Sequence, residues 1–140
     1  MSGYMAAQAL LKTKLLTCAS FGASDVTEGD YRVMDSGSTN MAIIIPGNIP
    51  LLDVAGMTRT QEYDAIVDLI TKFVDDTSYN TFGTLRDAML AVFIASPALS
   101  ADYFVTEIST DADIQELFDR QGAGPFFVSQ RFRFTIQEQV

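Results

Sequence analysis

The alternation near the C-terminus constrains this chain more than any other feature. From Phe126 to Gln137, residues Phe126, Val128, Phe132, Phe134 and Ile136 share one side of an extended strand, and Ser129, Arg131, Arg133, Thr135 and Gln137 share the other. Successive side chains of a strand point to opposite faces, so this segment buries one face and leaves the second polar. Such a strand belongs to an antiparallel sheet with one covered face, and the cover must come from helices or a second sheet. The chain is 140 residues long, the size of one ordinary domain, and a domain of that length buries roughly 70% of its unfolded surface without needing a staple.

Two amphipathic helices supply the cover. From Gly3 to about Ala19 the residues are good helix formers, with Leu11, Leu15 and Cys18 at helical spacing and Gly22 placed to close the helix in a left-handed conformation. From about Asn80, Leu85, Met89, Val92 and Phe93 form a second apolar stripe, and Pro97 ends it. Between the helices, Ala23 to Asp30 reads as loop. Tyr31–Met34 and Asn40–Ile45 read as a hairpin, and the run Ile43, Ile44, Ile45 predicts a strand covered on both faces.

Thr60 to Val74 fits two templates. Ile66, Leu69, Ile70 and Phe73 suit a helix face, while Tyr63, Ala65, Val67, Leu69, Thr71 and Phe73 suit one side of a strand. β-Branched and aromatic enrichment favours a long strand, whose other side then carries Glu62, Asp64, Ile66, Asp68, Ile70 and Lys72 and is expected to be exposed. Tyr103–Ile108 alternates as a further strand. Thr110–Arg120 suits either a short capped helix or an extended loop, and Gly122–Pro125 is a turn. The expected fold is α+β: an antiparallel sheet of about four to five strands packed on two helices, as a single domain.

The chemistry is narrow. The chain contains no histidine, which removes the commonest general base near neutral pH and every triad built on imidazole. Cys18 is the one cysteine, so no intrachain disulfide or multi-cysteine metal site can form, and a buried structural thiol is expected. Asp111, Asp113 and Gln115 begin like a calcium loop, but Glu116 stands where the sharp turn of that loop needs glycine. No catalytic residue, metal or cofactor is expected. A formal charge of -9 repels phosphate on average and argues against tight nucleic-acid binding. Lys12 and Lys14 follow the short apolar run Ala6–Leu11 instead of preceding it, so no export signal is expected, and no stretch approaches the roughly 20 apolar residues of a membrane helix. Synthesis in the cytoplasm follows as an expectation.

The order of parts resembles the tail-terminator (tail-completion) proteins of long-tailed bacteriophages. An alternating segment led by threonine, Thr60-Gln61-Glu62-Tyr63-Asp64, leads to a helix ending in Ser96-Pro97-Ala98-Leu99-Ser100. A glycine-containing turn follows at Asp119–Gly124, and then the terminal strand Phe132–Glu138. The N-terminal helix and the segment Met41–Ile45 match in order as well. The resemblance implies a strand at Thr60–Val74, a hexameric ring capping the tail tube, no catalytic residues, and a place in the virion tail or neck. It implies tube protein below and neck or connector protein above as partners, with DNA passing through unbound. In such a ring Glu62, Asp64 and Asp68 are candidates for a lumen-facing acidic strip. Arg131 and Arg133 are candidates for a subunit interface, or else a solvated strand face.

Two other readings use the same residues. One is another virion component, a head-tail connector or neck protein, which shares the compositional arguments. The other is a small ligand-binding or enzymatic α+β domain with an apolar pocket between sheet and helices, against which the missing histidine counts.

Overall fold

The computed structural model describes residues 3–22, 24–28, 39–46, 60–73, 77–117 and 126–139. Helix α1 (Gly3–Leu15) is followed by strands β1 (Val26–Glu28), β2 (Asn40–Pro46) and β3 (Thr60–Phe73), helix α2 (Ser78–Ala95), and strands β4 (Tyr103–Thr110), β5 (Gln115–Leu117) and β6 (Phe126–Gln139). The strands form one sheet in the order β1-β2-β3-β6-β4, with β5 also paired to β6. All pairings are antiparallel except β1 with β2. The fold is therefore α+β, as expected, and the sheet gains two three-residue strands that the sequence did not announce.

The axis of the molecule is the β3–β6 pair, in register from Thr60↔Gln139 to Phe73↔Phe126. The ambiguous segment is thus a strand. Its odd-numbered residues Tyr63, Ala65, Val67 and Leu69 join Val128, Phe132, Phe134 and Ile136 of β6 in one core, capped by Ala7, Leu11 and Leu15 of α1 and by Phe82, Leu85, Met89 and Phe93 of α2. The 3–4 residue spacing of the buried α2 side chains gives that helix one face to present. Phe93 meets Phe134 edge to face, ring centroids 5.0 Å apart, a favoured aromatic geometry. Arg86 lays its guanidinium over the Phe132 ring at 6.0 Å. Ser96, just before Pro97, is extended and ends α2, since proline disfavours helical backbone at the residue preceding it.

The opposite face is not wholly polar. Met41, Ile43 and Ile70 form a second buried cluster there, with Ile45 and Phe127 against it, so β2 is covered on both faces as the isoleucine run predicts. Cys18 is buried and unbonded to sulfur.

Two expectations need correction, and between Thr110 and Arg120 the extended alternative is the one observed. Val26–Glu28 is a strand, not loop: Val26 is buried against the core beside α1 and the Ala42 amide donates to the Asp25 carbonyl at 2.9 Å. The described partners of β2 are consequently β1 and β3; Tyr31–Met34, proposed as its hairpin mate, lies outside the described residues, as does the turn at Gly122–Pro125. Gly22 does not take a left-handed conformation. It stands in close approach to a side chain instead: its amide donates to Asp25 Oδ2 at 2.6 Å, and a Cβ there would meet that oxygen at 3.0 Å. Between Thr110 and Arg120 the chain is extended, β4 running through Thr110 and β5 taking Gln115–Leu117; residues 118–120 lie outside the described residues.

Candidate functional site

The polar side chains of the molecule converge on the face of β3 and β6 turned away from the helices. Asp68 stands directly across from Arg131, and the register alone brings opposite charges within reach. Arg131 closes a two-pronged contact, Nε donating to Oδ1 at 2.7 Å and Nη2 to Oδ2 at 3.0 Å. The Asp68 side chain keeps 7% of its exposure while that of Arg131 keeps 42%. The carboxylate is therefore sunk in the sheet surface, and the planar guanidinium lies over it as a lid open to water.

One step along, Arg133 spans two acids. Nη1 donates to Asp64 Oδ2 at 3.0 Å and Nη2 reaches Asp111 Oδ1, beyond the end of β4, at 3.4 Å. Thr135, the cross-strand partner of Asp64, donates to its other oxygen at 3.3 Å. The hydrogen bond to Asp64, and next the charge of Asp111, raise the pKa of the Arg133 guanidinium above its ordinary value. Glu62, at the end of the strip, is exposed.

Beside this ladder lies a recess of about 320 Å³ where β4 has ended and β5 has not begun. Asp68, Asp111, Asp113 and Arg131 line it, with Gln115 and Gln130. Gln130 Nε2 donates to the Ala112 carbonyl at 3.3 Å, and the Asp111 amide donates to the Arg131 carbonyl at 2.8 Å, so the strand-to-strand crossing is laced to β6. The start of the calcium-like motif sits here, but Asp111 is engaged by Arg133, and among the described residues no three acidic, cysteine or histidine side chains stand together as metal ligands.

A separate cluster closes the far end of the sheet. Tyr63 donates to Glu138 Oε2 at 2.5 Å and Tyr103 donates to Oε1 at 3.1 Å. Burial first, and then the hydrogen bond to the Glu138 carboxylate, push both phenols above their ordinary pKa. They remain protonated donors across the physiological range.

Of the residues singled out from sequence, the structure brings Asp64, Asp68, Arg131 and Arg133 together and leaves Glu62 at the margin. The expectation that Glu62, Asp64 and Asp68 share one exposed strip holds for Glu62 alone, because the arginines of β6 fold down over the other two. The carboxylates that Arg131 and Arg133 engage lie on their own chain. Glu138, Tyr63 and Tyr103 were missed, and Asp111, weighed only as the start of a calcium loop, was not linked to Arg133. The signal that could have found Asp111 and Glu138 is the β6 register, which places both beside residues far away in sequence. Chemically, the arrangement satisfies carboxylates with guanidinium and hydroxyl donors.

No protein-family model matches the sequence, and no curated protein matches it. Among solved structures, the chain is similar to one described as "Virion of native gene transfer agent (GTA) particle", with 13% identity and a TM-score of 0.48 over 94% of this chain and 98% of that chain. A second solved chain is 14% identical with a TM-score of 0.38, over 95% of this chain and 96% of the other.

Proposed function

We propose that the protein is a non-enzymatic structural subunit of a phage virion, forming a hexameric ring at the head-proximal end of the tail tube and joining tail to neck. The observation that carries this reading is the strand Thr60–Phe73. β-Branched and aromatic enrichment favoured a strand there, and the likeness of the sequence to tail terminators implied one too, followed by a helix ending at Ser96-Pro97 and a terminal strand. The fold has that order, and the terminal strand pairs with Thr60–Phe73 along its length.

The polar face supports the same reading. The guanidinium charges of Arg131 and Arg133 are paired with Asp68, Asp64 and Asp111, and the chain as a whole carries -9. A channel lined by this face lets DNA slide past without gripping it. Its partners are further copies of itself, the tube protein below and a neck or connector protein above.

Particles made without the protein, imaged beside complemented ones, provide the test. Expected are tails that are not properly finished and cannot join heads, and density for the protein at the tail end of complemented particles. Density within the head-tail connector would move it to the connector reading. Normal infectious particles in its absence, together with a strictly monomeric chain, would instead favour the small ligand-binding domain.

A further inference from the structure

On the side of the molecule away from the charged ladder, α2 and the edge strand β4 leave a groove of about 310 Å³ between them. Its walls are Leu90, Phe93 and Ile94 of α2 and Val105, Glu107 and Ile108 of β4. Ile94 is 81% exposed, and a large apolar side chain in water beside an apolar groove with a polar rim marks a contact surface. The rim is acidic: Glu107 stands on the strand side, and Asp87, one and two turns before Leu90 and Ile94 on the same helix stripe, is exposed on the other.

The groove is not built for an added strand. The first half of the β4 edge is covered, since the Val105 amide donates to the Pro97 carbonyl at 2.9 Å and the Leu99 amide to the Tyr103 carbonyl at 2.8 Å. The second half follows an irregularity between Val105 and Glu107 and carries the Glu107 charge, two features that discourage edge-to-edge pairing. Its volume suits one or two side chains delivered by a rigid element.

The opposite margin of the sheet offers such an element. β1 and β4 are the two ends of the strand path, and α1 packs on β1. Met5 of α1 is 57% exposed, and helical spacing puts Met5, Ala9 and Lys12 on one stripe, with Lys14 in the same last turn. An apolar knob with a cation two turns along the same stripe thus stands at one margin, and an apolar groove flanked by carboxylates at the other. Two acidic grooves meeting each other would repel, which disfavours a two-fold contact; unlike surfaces meeting head to tail propagate, and close when the rotation allows.

We infer that the α2–β4 groove of one copy receives α1 of the next, with Met5 seated against Ile94 and Lys12 facing Asp87 and Glu107. This rests on the ring reading above and names its subunit contact. Cys18, the chain's one cysteine, is buried, so an engineered pair reports cleanly. The chain carrying Met5→Cys and Ile94→Cys, oxidised in solution and in assembled particles, is expected to give a ladder of linked copies ending at a closed ring, while either cysteine alone gives none. Ile94→Asp should weaken association by about ten-fold or more with the fold intact by circular dichroism. Lys12→Glu should weaken it too, and Glu107→Lys added to Lys12→Glu should restore it. Rings present by native mass spectrometry with no ladder, or a dimer through Ile94→Cys alone, would overturn this contact and leave the ring reading standing. No ring in solution or in particles would overturn both.

Discussion

The two faces of the β3–β6 pair are held by opposite means. Toward the helices, Val67, Leu69, Phe132 and Phe134 are buried by apolar contact that has no preferred partner beyond shape. Toward the other side, Asp68 is buried almost as deeply, at 5% exposure, with the Arg131 guanidinium meeting both of its oxygens. Apolar burial tolerates loss by degrees, whereas a sunken carboxylate needs its charge partner. Both faces specify the register, the first by apolar alternation and the second by matching opposite charges.

The largest effect should come from the apolar face. Phe134→Ala removes the ring packed on Phe93 and should cost about 3 to 5 kcal/mol, read as a lower denaturation midpoint. A loss near that of a surface substitution would show that α2 does not anchor the sheet.

On the polar face the comparison sharpens between neighbouring arginines. Arg131→Ala removes the charge partner and two hydrogen bonds of the sunken Asp68 carboxylate and should cost about 1 to 3 kcal/mol, whereas Arg133→Ala, whose acids are better hydrated and which Thr135 partly replaces at Asp64, should cost under about 1 kcal/mol. Adding Asp68→Asn to Arg131→Ala should recover part of the first loss, because an amide is cheaper to leave half-paired than a charge. Equal costs for the two arginines would erase the distinction between a sunken pair and a surface one.

An effect as small as that at Arg133, but dependent on pH, concerns Tyr63, a residue of the apolar face that ends on a carboxylate. Its phenol binds the proton more tightly when folded, so its contribution is complete below the unfolded value of 10.0 and is lost as pH rises beyond it. Tyr63→Phe should cost about 1 kcal/mol at neutral pH and flatten the fall of stability above pH 10, as followed by chemical denaturation across that range. An unchanged alkaline slope would mean that Glu138 gains nothing from this hydroxyl.

How far the sequence could be read depended on whether a residue's environment was written beside it. The apolar side of β6 was legible because each buried residue has another two positions away, and α2 because its stripe repeats every three or four. β1 was not: Val26 is followed by Thr27 and Glu28, and three residues hold no period. Asp68 was misread as exposed for a related reason. Alternation correctly puts it away from the helices, but what covers it is Arg131, 63 positions on, and no local window contains both. The triad of Tyr63, Tyr103 and Glu138 was hidden in the same way. The recess between β4 and β5 is a property of where two strands stop, which propensity places least well.

The last of the described strands to be synthesised is also the one that sits inside the sheet, flanked by β3 on one side and by β4 and β5 on the other. While the ribosome is still short of Phe126, β3 has its long apolar edge without a mate and β4 has no sheet to join. Folding therefore waits on distant pairing, which slows collapse to the native topology and lengthens the time in which sticky edges are on show. In a cell making many copies at once, that delay creates a window for mispairing between neighbouring nascent chains. A stop codon placed just ahead of β6 should accordingly yield not a smaller folded protein but an aggregate.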